Sequence, residues 1–255
     1  ENVLALTVVM ADGSIRKTGT RSRKSAAGYD MTRLFVGSEG TLGIITEVTL
    51  RLYGIPQNIS AAVCSFPTLA DACNTVINTV RMGLPIARIE LLDEVQIKAC
   101  NMHSGLSLAE RPTLFLEFHG TDAGVADQIE MFKDIAAEFN GGDFEWAEKP
   151  EDRSRLWQAR HDVYWACQTL RPGTKFIATD VCVPISRLGD CMVATKEDIV
   201  RNNLVGPIAA HAGDGNFHVS LMADMNNPQE MEAIEAFIDR LNRRAISMEG
   251  TCTGE

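Results

Sequence analysis

Two histidines flank a tight turn in the stretch AAHAGDGNFHVSL, residues 209–221. The residues on either side of Gly-Asp-Gly have strand character, so the pattern predicts a β-hairpin. His211 closes the incoming strand and His218 opens the outgoing one, and we expect them to face each other across the ladder. Cross-strand Cβ atoms lie about 4.5–5.5 Å apart, which lets two imidazoles bind one metal at about 2.0–2.1 Å. The alternative is two ordinary polar histidines at a strand end, because only two ligands are local.

A third metal ligand is available at the end of the sequence. The stretch GTCTGE follows the helix that leaves the hairpin, and its Glu255 could return to the two histidines. A carboxylate beside two imidazoles suits Zn²⁺, Mn²⁺ or Fe²⁺. The alternative, which the residues alone favour, is that Glu255 is a frayed terminus.

The stretch VGSEGTLG, residues 36–43, is rich in glycine and hydroxyl residues. Gly37, Gly40 and Gly43 let the backbone turn sharply and expose its N–H groups, with Ser38 and Thr41 between them, so a flat or anionic ligand can approach closely. The stretch matches neither the G-x-G-x-x-G fingerprint nor a Walker A loop. Nucleotide binding and a plain bulged turn therefore both remain open.

The stretch 153–170 predicts one helix with Trp157, Arg160 and Tyr164 on a single face. An arginine among aromatic residues can bind a carboxylate through two hydrogen bonds. The alternative is an arginine whose stem covers apolar surface while its charge reaches water.

The elements that must position these residues divide the chain into two parts. Residues 1–55 have β character, with a hairpin turn at Asp12-Gly13, and the stretch YGIPQN, residues 53–58, is the candidate boundary. Beyond it the pattern predicts strands at 60–66, 87–92, 113–120 and 175–183, and helices at 69–82, 93–101, 123–139, 151–170, 187–201 and 228–248. The alternation of strands and helices favours a parallel sheet, whereas the hairpin at 211–218 requires antiparallel strands in at least one place.

Charge and cysteine usage exclude several classes of protein. A formal net charge of −10 disfavours nucleic acid as the main partner, because nucleic-acid binding needs clustered Lys and Arg. The seven cysteines are scattered and contain no C-x-x-C, which favours a reducing compartment. We predict a cytoplasmic location; the alternative is peripheral association with the inner face of the membrane. The strand-like opening and the ending just past a helix predict that the sequence is part of a longer protein.

Several motifs occur together in an order typical of one family: RKSAAGYDMTRLFVGSEGTLGIITEVTLRL, ARIELLDE, TLFLEFHG, TDVCVPISRL, AHAGDGNFH and GTCTGE. They resemble the FAD-dependent 2-hydroxy-acid dehydrogenases of the vanillyl-alcohol-oxidase type over essentially the whole chain, with the D-lactate branch the most similar. The resemblance implies an α+β fold. Residues 1–57 would form the C-terminal part of a two-part FAD-binding domain. Residues 58–255 would form an antiparallel sheet covered by helices, a substrate- and metal-binding cap domain truncated at its C-terminus.

The resemblance also implies roles for individual residues. His211, His218 and Glu255 would hold a divalent metal, Zn, Mn or Fe, beside the flavin, and Arg160 would pair with the substrate carboxylate. The residues expected close to FAD are Gly37, Ser38, Glu39, Gly40, Thr41, Gly43 and Ile44. The catalytic set implied is therefore Arg160, His211 and His218.

The reaction implied is oxidation of a D-2-hydroxy acid, D-lactate to pyruvate, by metal-assisted deprotonation of the hydroxyl and hydride transfer to flavin. Electrons would pass to a cytochrome, a quinone or a flavoprotein. Ser220 stands where the D-2-hydroxyglutarate branch has Asn, which disfavours that substrate. Part of the flavin cradle and a candidate base would lie outside the sequence, so this chain alone is expected to be inactive. The alternatives are the FAD subunit of glycolate oxidase and a non-catalytic metal-binding fragment; a homo-oligomer is left open.

Overall fold

The structure, a computed structural model, describes residues 2–22, 25–147 and 149–253. The chain divides into two compact units, Glu1–Ile55 and Pro56–Glu255. The division falls in YGIPQN, where Gly54 and Pro56 interrupt the strand pattern. Among the described residues, no helix combines the length and apolar character that a membrane crossing needs.

The first unit is a small antiparallel sheet with a short helix in its described part. Its elements are β1 (Val3–Val9), β2 (Ile15–Lys17), α1 (Met31–Phe35) and β3 (Ile44–Leu50), with strand order β2-β1-β3. The predicted turn between β1 and β2 is confirmed, because Gly13 has φ +78° and Asp12 accepts a hydrogen bond from the Ser14 amide. Helix α1 was not predicted. Its N-cap is Asp30, whose side chain accepts a hydrogen bond from the Arg33 amide, and the helix buries Phe35 in the core of this unit.

The second unit is built on one antiparallel sheet. Its strands are β4 (Asn58–Ser65), β5 (Arg88–Leu92), β6 (Thr113–Gly120), β7 (Phe144–Ala147), β8 (Lys175–Ala178), β9 (Asp180–Cys182), β10 (Ile208–His211), β11 (Asn216–Ala223) and β12 (Thr251–Thr253). Their order is β12-β9-β11-β10-β5-β6-β4-β7, and β8 also pairs with β11. Its helices are α2 (Leu69–Arg81), α3 (Glu94–Ser104), α4 (Asp122–Glu138), α5 (Pro150–His161), α6 (Val163–Leu170), α7 (Leu188–Arg201) and α8 (Pro228–Ser247).

The expectation of a parallel sheet is wrong, and the antiparallel α+β fold that the family resemblance implies is confirmed. Strands β4 and β5 are joined through α2, but β6 lies between them and pairs antiparallel with both. A βαβ sequence pattern does not reveal whether another strand is inserted between its two strands, so the alternation alone could not settle this point.

The two faces of the sheet contact different helices. Side chains on one face, including Leu91 and Phe217, are buried with residues of α2, α4, α7 and α8. Side chains on the other face, including Leu92 and Ala209, are buried with residues of α3, α5 and α6. Because neighbouring residues of a strand point to opposite faces, both helical layers obtain an apolar surface from the same strands.

The helix predicted at 151–170 breaks into α5 and α6 at Asp162. The Asp162 amide still donates to the carbonyl of Gln158, while its side chain accepts from the Gln158 amide group. Aspartate competes for such local hydrogen bonds and is a poor residue for a helix interior. Tyr164 therefore lies on a different helix from Trp157 and Arg160, and its ring packs on Phe176 at 4.6 Å between centroids. The prediction that Tyr164 shares their face is therefore wrong.

The strand predicted at 175–183 is also interrupted, at Thr179. There the Thr179 amide donates to the carbonyl of Val219 and the Thr179 hydroxyl accepts from the Val219 amide. The resulting pieces are β8, which pairs with the end of β11, and β9, which pairs with its start. The side-chain hydrogen bond replaces one step of the ladder, a local exchange that strand periodicity does not predict.

A buried ion network fixes α7 to α8. Asp198, 3% exposed, accepts hydrogen bonds from Arg240 at 2.8 Å and from Arg244 at 3.0 Å. Arg244 also donates to the hydroxyl of Thr195 at 2.9 Å. Burial alone would raise the pKa of Asp198, but the hydrogen bonds and charges of the two arginines outweigh it and lower the pKa. The network therefore stabilises the folded protein while Asp198 is ionised.

We predict that Asp198→Asn lowers the free energy of unfolding at pH 7 by about 2–3 kcal/mol, less than for a fully buried ion pair because Arg240 is partly exposed. The pKa of Asp198 is lowered in the folded state. The loss of unfolding free energy in the variant should therefore be complete above the ordinary pKa of an aspartate and shrink as the pH falls below that value. Urea unfolding between pH 3 and 7 measures it. The control is Asp239→Asn, which removes the exposed pair with Arg243 on α8; equal effects of the two variants would contradict the assignment.

Candidate functional site

The hairpin that carries the two histidines is confirmed, but its register differs from the one expected. His211 pairs with Asn216, and His218 pairs with Ala209. The histidines are therefore diagonal neighbours on one face of the sheet, not direct partners. Their rings lie 5.5 Å apart between centroids and are perpendicular. The difference arises because residues 212–214 form a 3-10 turn, so that both histidines stand inside the paired strands.

Each histidine has a carboxylate at its Nδ1 atom. His211 Nδ1 lies 3.0 Å from Glu90 Oε1, and His218 Nδ1 lies 3.1 Å from Asp180 Oδ1. Glu90 is on β5, next to β10, and Asp180 is on β9, next to β11. Asp180 also accepts hydrogen bonds from Asn216 and from Thr253. The described residues provide no hydrogen-bond partner for either Nε2 atom, so both are available to a ligand.

Arg160 joins the site through the same glutamate. Its Nε and Nη2 atoms donate to Glu90 Oε2 at 3.2 Å and 2.7 Å. Both side chains are largely buried, 10% exposed for Arg160 and 14% for Glu90. The structure thus brings Arg160, Glu90 and His211 into one hydrogen-bonded group, with His218 beside it.

Charge and burial oppose each other in this group. Burial alone would raise the pKa of Glu90, but the hydrogen bond from His211 and the charge of Arg160 lower it overall. The hydrogen bond to Glu90 raises the pKa of His211, against the effect of burial. A carboxylate at Nδ1 is the arrangement that orients metal-binding histidines and increases the basicity of the other nitrogen.

A cleft of about 580 Å³ opens beside this group. Glu90, Arg160 and His211 line it together with Trp157 and Arg88. The Arg88 guanidinium lies 5.0 Å from the Trp157 ring centroid, and the buried indole Nε1 has no hydrogen-bond partner among the described residues. The cleft is large enough for a small organic acid and is lined by both charged and apolar groups.

The described residues supply two of the ligands that a divalent metal site needs. Two imidazoles with free Nε2 atoms and oriented Nδ1 atoms are chemically suited to Zn²⁺, Mn²⁺ or Fe²⁺. Within 2–22, 25–147 and 149–253, no cluster of three His, Cys, Asp or Glu side chains has the spacing of a metal site. Glu255, the third ligand expected, lies outside the described residues.

The residues predicted to approach FAD form the turn between α1 and β3 in the first unit, where Ile44 begins β3. Gly37, Glu39 and Gly40 have φ values of +83°, +48° and +77°. Thr41 donates both its amide and its hydroxyl to the Ser38 carbonyl, while Ser38 Oγ is buried with no partner in the described part of the chain. A Cβ on Gly43 would come within 2.8 Å of the Val9 carbonyl oxygen. This tight turn, with an unpartnered hydroxyl, is compatible with close approach of a flavin.

Sequence reasoning missed the two carboxylates that hold the histidines. A signal for Glu90 was present, because RIELL places a charged residue among buried residues in a central strand, and a buried carboxylate requires a partner. Asp180 carried a weaker signal at the start of DVC. Which histidine each carboxylate contacts follows from strand order, which the sequence does not show.

Comparison with known proteins identifies the family. Residues 55–255 match the model of the FAD linked oxidases, C-terminal domain. The chain therefore belongs to the FAD-linked oxidases, as the motifs predicted. The solved structure of p-cresol methylhydroxylase with substrate bound shares the fold, with a TM-score of 0.70 at 15% identity, covering 95% of this chain and 55% of that one.

Curated relatives are more similar in sequence. A "probable D-lactate dehydrogenase, mitochondrial" of Danio rerio is 55% identical, matching 100% of this chain and 52% of its own length. The "D-lactate dehydrogenase [cytochrome], mitochondrial" of Arabidopsis thaliana is 48% identical, and the match covers 100% of this chain and 45% of that protein. The "glycolate oxidase subunit GlcD" of Bacillus subtilis is 32% identical, and the match covers 99% of this chain and 54% of that protein. The chain spans about half the length of these relatives.

The predicted cytoplasmic location is wrong, and so is its alternative at the inner face of the membrane. The two D-lactate dehydrogenases above are named as mitochondrial proteins. The seven cysteines are free, and most are buried. Free cysteines indicate a reducing environment but do not distinguish one reducing compartment from another, which is why this inference failed.

The hairpin turn provides a test of how tightly the site is built. Gly215 has φ +77°, and a Cβ there would overlap the carbonyl oxygen of Val183. We predict that Gly215→Ala lowers the free energy of unfolding by about 2–4 kcal/mol through backbone strain and this clash. The control Gly105→Ala, at φ +61° with open space around it, should cost only about 1 kcal/mol. Chemical unfolding compares them, and equal losses would show that the Val183 contact is unimportant.

Proposed function

We propose that the complete gene product is an FAD-dependent D-2-hydroxy-acid dehydrogenase that oxidises D-lactate to pyruvate. The observation that carries the proposal is the group of Arg160, Glu90 and His211 beside His218, next to a cleft of about 580 Å³. It offers one cation for a carboxylate and two imidazole nitrogens for a metal or a hydroxyl. The names of the relatives at 55% and 48% identity support D-lactate as the substrate.

Arg160 is suited to hold the substrate carboxylate. Glu90 occupies the Nε–Nη2 edge of the guanidinium, which leaves the N–H groups at the Nη1–Nη2 end. That end presents two parallel donors, the geometry that binds a carboxylate through two hydrogen bonds. Because Glu90 anchors the guanidinium, little side-chain freedom remains to be lost when substrate binds.

His211 and His218, with Glu255 as third ligand, would hold a divalent metal beside the bound acid. When present, the cation supplies positive charge that lowers the pKa of the α-hydroxyl. The two carboxylates at Nδ1 keep the imidazoles oriented with Nε2 toward the ligand. Arg160 then fixes the opposite end of the acid, which aligns its α-carbon.

Residues 37–44 would lie against FAD, whose flavin ring supplies the acceptor for the α-hydrogen. Residues 1–57 would then be part of the FAD-binding domain and residues 58–255 the substrate domain. The turn contributes backbone conformations that bring N–H groups close to a ligand, and the Ser38 hydroxyl would gain a partner there.

The names of the relatives are the only support for an electron acceptor and a cellular location. A cytochrome acceptor is favoured over a quinone or flavoprotein, because the Arabidopsis thaliana relative is named as the cytochrome enzyme. A mitochondrial location is favoured for the same reason. A glycolate oxidase subunit is the competing function; the relative of that name, at 32% identity, is less similar than the D-lactate dehydrogenases.

We predict that the complete gene product reduces an artificial dye with D-lactate in preference to L-lactate, glycolate and D-2-hydroxyglutarate. Removing metal, or replacing His211 by Ala, should lower kcat/KM by more than about 100-fold, because a bound metal contributes several kcal/mol of charge stabilisation. Steady-state assays with and without a chelator measure this.

The matched control is His103→Ala, an exposed histidine on α3, which should retain full activity. Preference for glycolate would support the competing function. Full activity of His211→Ala, or of the metal-free enzyme, would contradict the metal assignment.

We predict that Arg160→Lys lowers kcat/KM for D-lactate by about 100-fold, mainly through KM, because an ammonium cannot donate to Glu90 and to the substrate carboxylate in one plane. Arg155→Lys, an exposed position on α5, should match wild type. Stopped-flow reduction of the flavin separates substrate binding from hydride transfer. An unchanged KM in Arg160→Lys would remove Arg160 from the substrate site.

A further inference from the structure

We infer that Glu90 is a positioning residue that fixes Arg160 and His211 together, so that metal affinity and substrate affinity both depend on this one carboxylate. The inference rests on the proposed function and deepens it. Glu90 lies on β5, and its side chain is 14% exposed. Oε2 accepts two hydrogen bonds from Arg160, while His211 Nδ1 lies 3.0 Å from Oε1 and 2.9 Å from Oε2. No other described side chain is hydrogen-bonded to both Arg160 and His211.

The number of hydrogen-bond acceptors explains why this position needs a carboxylate and not an amide. An ionised glutamate offers two oxygens with about four lone-pair sites and no donor. The two Arg160 N–H groups point at Oε2, and the His211 N–H lies within hydrogen-bond distance of both oxygens. A glutamine is neutral, and its NH₂ group would replace one of the two oxygens with a donor, so it cannot reproduce the charge-assisted hydrogen bonds to both partners. The loss would leave a buried donor unpaired, which costs more than the hydrogen bond itself contributes.

The hydrogen bond also selects the tautomer of His211. A proton held on Nδ1 by Glu90 leaves the Nε2 lone pair free for a ligand. His218 obtains the same orientation separately from Asp180, on the far strand β9. A change at Glu90 is therefore expected to weaken one metal ligand and the substrate cation while leaving the second imidazole in place.

The same face of the sheet contains a matched control. Glu117 on β6 is 7% exposed, lies 2.7 Å from His119 Nε2 and 3.6 Å from Arg88 Nε. It is likewise a buried glutamate between a histidine and an arginine. It forms no hydrogen bond or ion pair with Arg160 or His211. Any effect that Glu90→Gln shares with Glu117→Gln is therefore due to the loss of a buried charge in general.

The test is calorimetric titration of Zn²⁺, and separately of Mn²⁺, into the metal-free complete gene product. We expect Glu90→Gln to weaken metal binding about 10- to 100-fold, the usual effect of removing the partner of a metal-binding histidine. It should also raise KM for D-lactate by more than it lowers kcat. Glu117→Gln should keep the metal affinity within about twofold of wild type. In an Arg160→Lys background, Glu90→Gln should raise KM by a smaller factor than in wild type, because the two act on one interaction.

Wild-type metal affinity in a folded Glu90→Gln protein would overturn the inference, even where His211→Ala abolishes binding. If His211→Ala also binds metal like wild type, the proposed metal site fails as well, so the two failures are distinguishable. Should Glu90→Gln not fold, Glu90→Asp keeps the charge on a side chain one methylene shorter. It is expected to lose at least tenfold in metal affinity, and unchanged affinity there would equally overturn the inference.

Discussion

A carboxylate withdrawn from water inside a sheet has to be paired with cations and hydrogen-bond donors, and Glu90 meets that requirement with Arg160 and His211. The pairing requires three elements to meet at one point: β5 carries the glutamate, α5 brings the arginine, and β10 brings the histidine. An unpaired charge at any of these positions would be costly. The same interaction that the fold needs therefore also aligns the groups that would contact a substrate.

Successive side chains along each strand alternate between the two faces of the sheet, which separates the residues of the hydrophobic core from those of the candidate site. In β5, Ile89 and Leu91 enter the core with α2, α4, α7 and α8, while Glu90 between them faces the cleft. In β11, Phe217 and Val219 are buried in that core while His218 faces the opposite side. Because each strand has a large apolar surface on one face, it stays in register while polar groups occupy part of the other. Register is critical here, since a one-residue slip would exchange the two sets of side chains.

Local features of the fold were predictable from sequence, and pairings between distant residues were not. The starts of the helices predicted at 69–82 and 228–248 are correct, and Thr68 and Asn227 cap them. The glycine-rich turn between β10 and β11 was also correctly placed, because each of these features depends on a few neighbouring residues. The break at Asp162 and the diagonal placement of the two histidines depend on local hydrogen bonds and turn geometry that residue periodicity does not resolve. The insertion of β6 between β4 and β5, like the contacts of each histidine with its carboxylate, depends on pairing between segments far apart in the chain. Glu90 and Asp180 were missed for that reason, although a charge in a buried strand was a visible signal.

The proposed function depends on His211 and His218 binding one divalent metal through their Nε2 atoms. The most direct measurement is an anomalous difference map from crystals of the complete gene product grown with Mn²⁺ or Zn²⁺. We expect one peak about 2.0–2.2 Å from both Nε2 atoms, with Glu90 and Asp180 still at the Nδ1 atoms. A map with no peak between the two rings, in a protein that oxidises D-lactate at full rate, would contradict the claim.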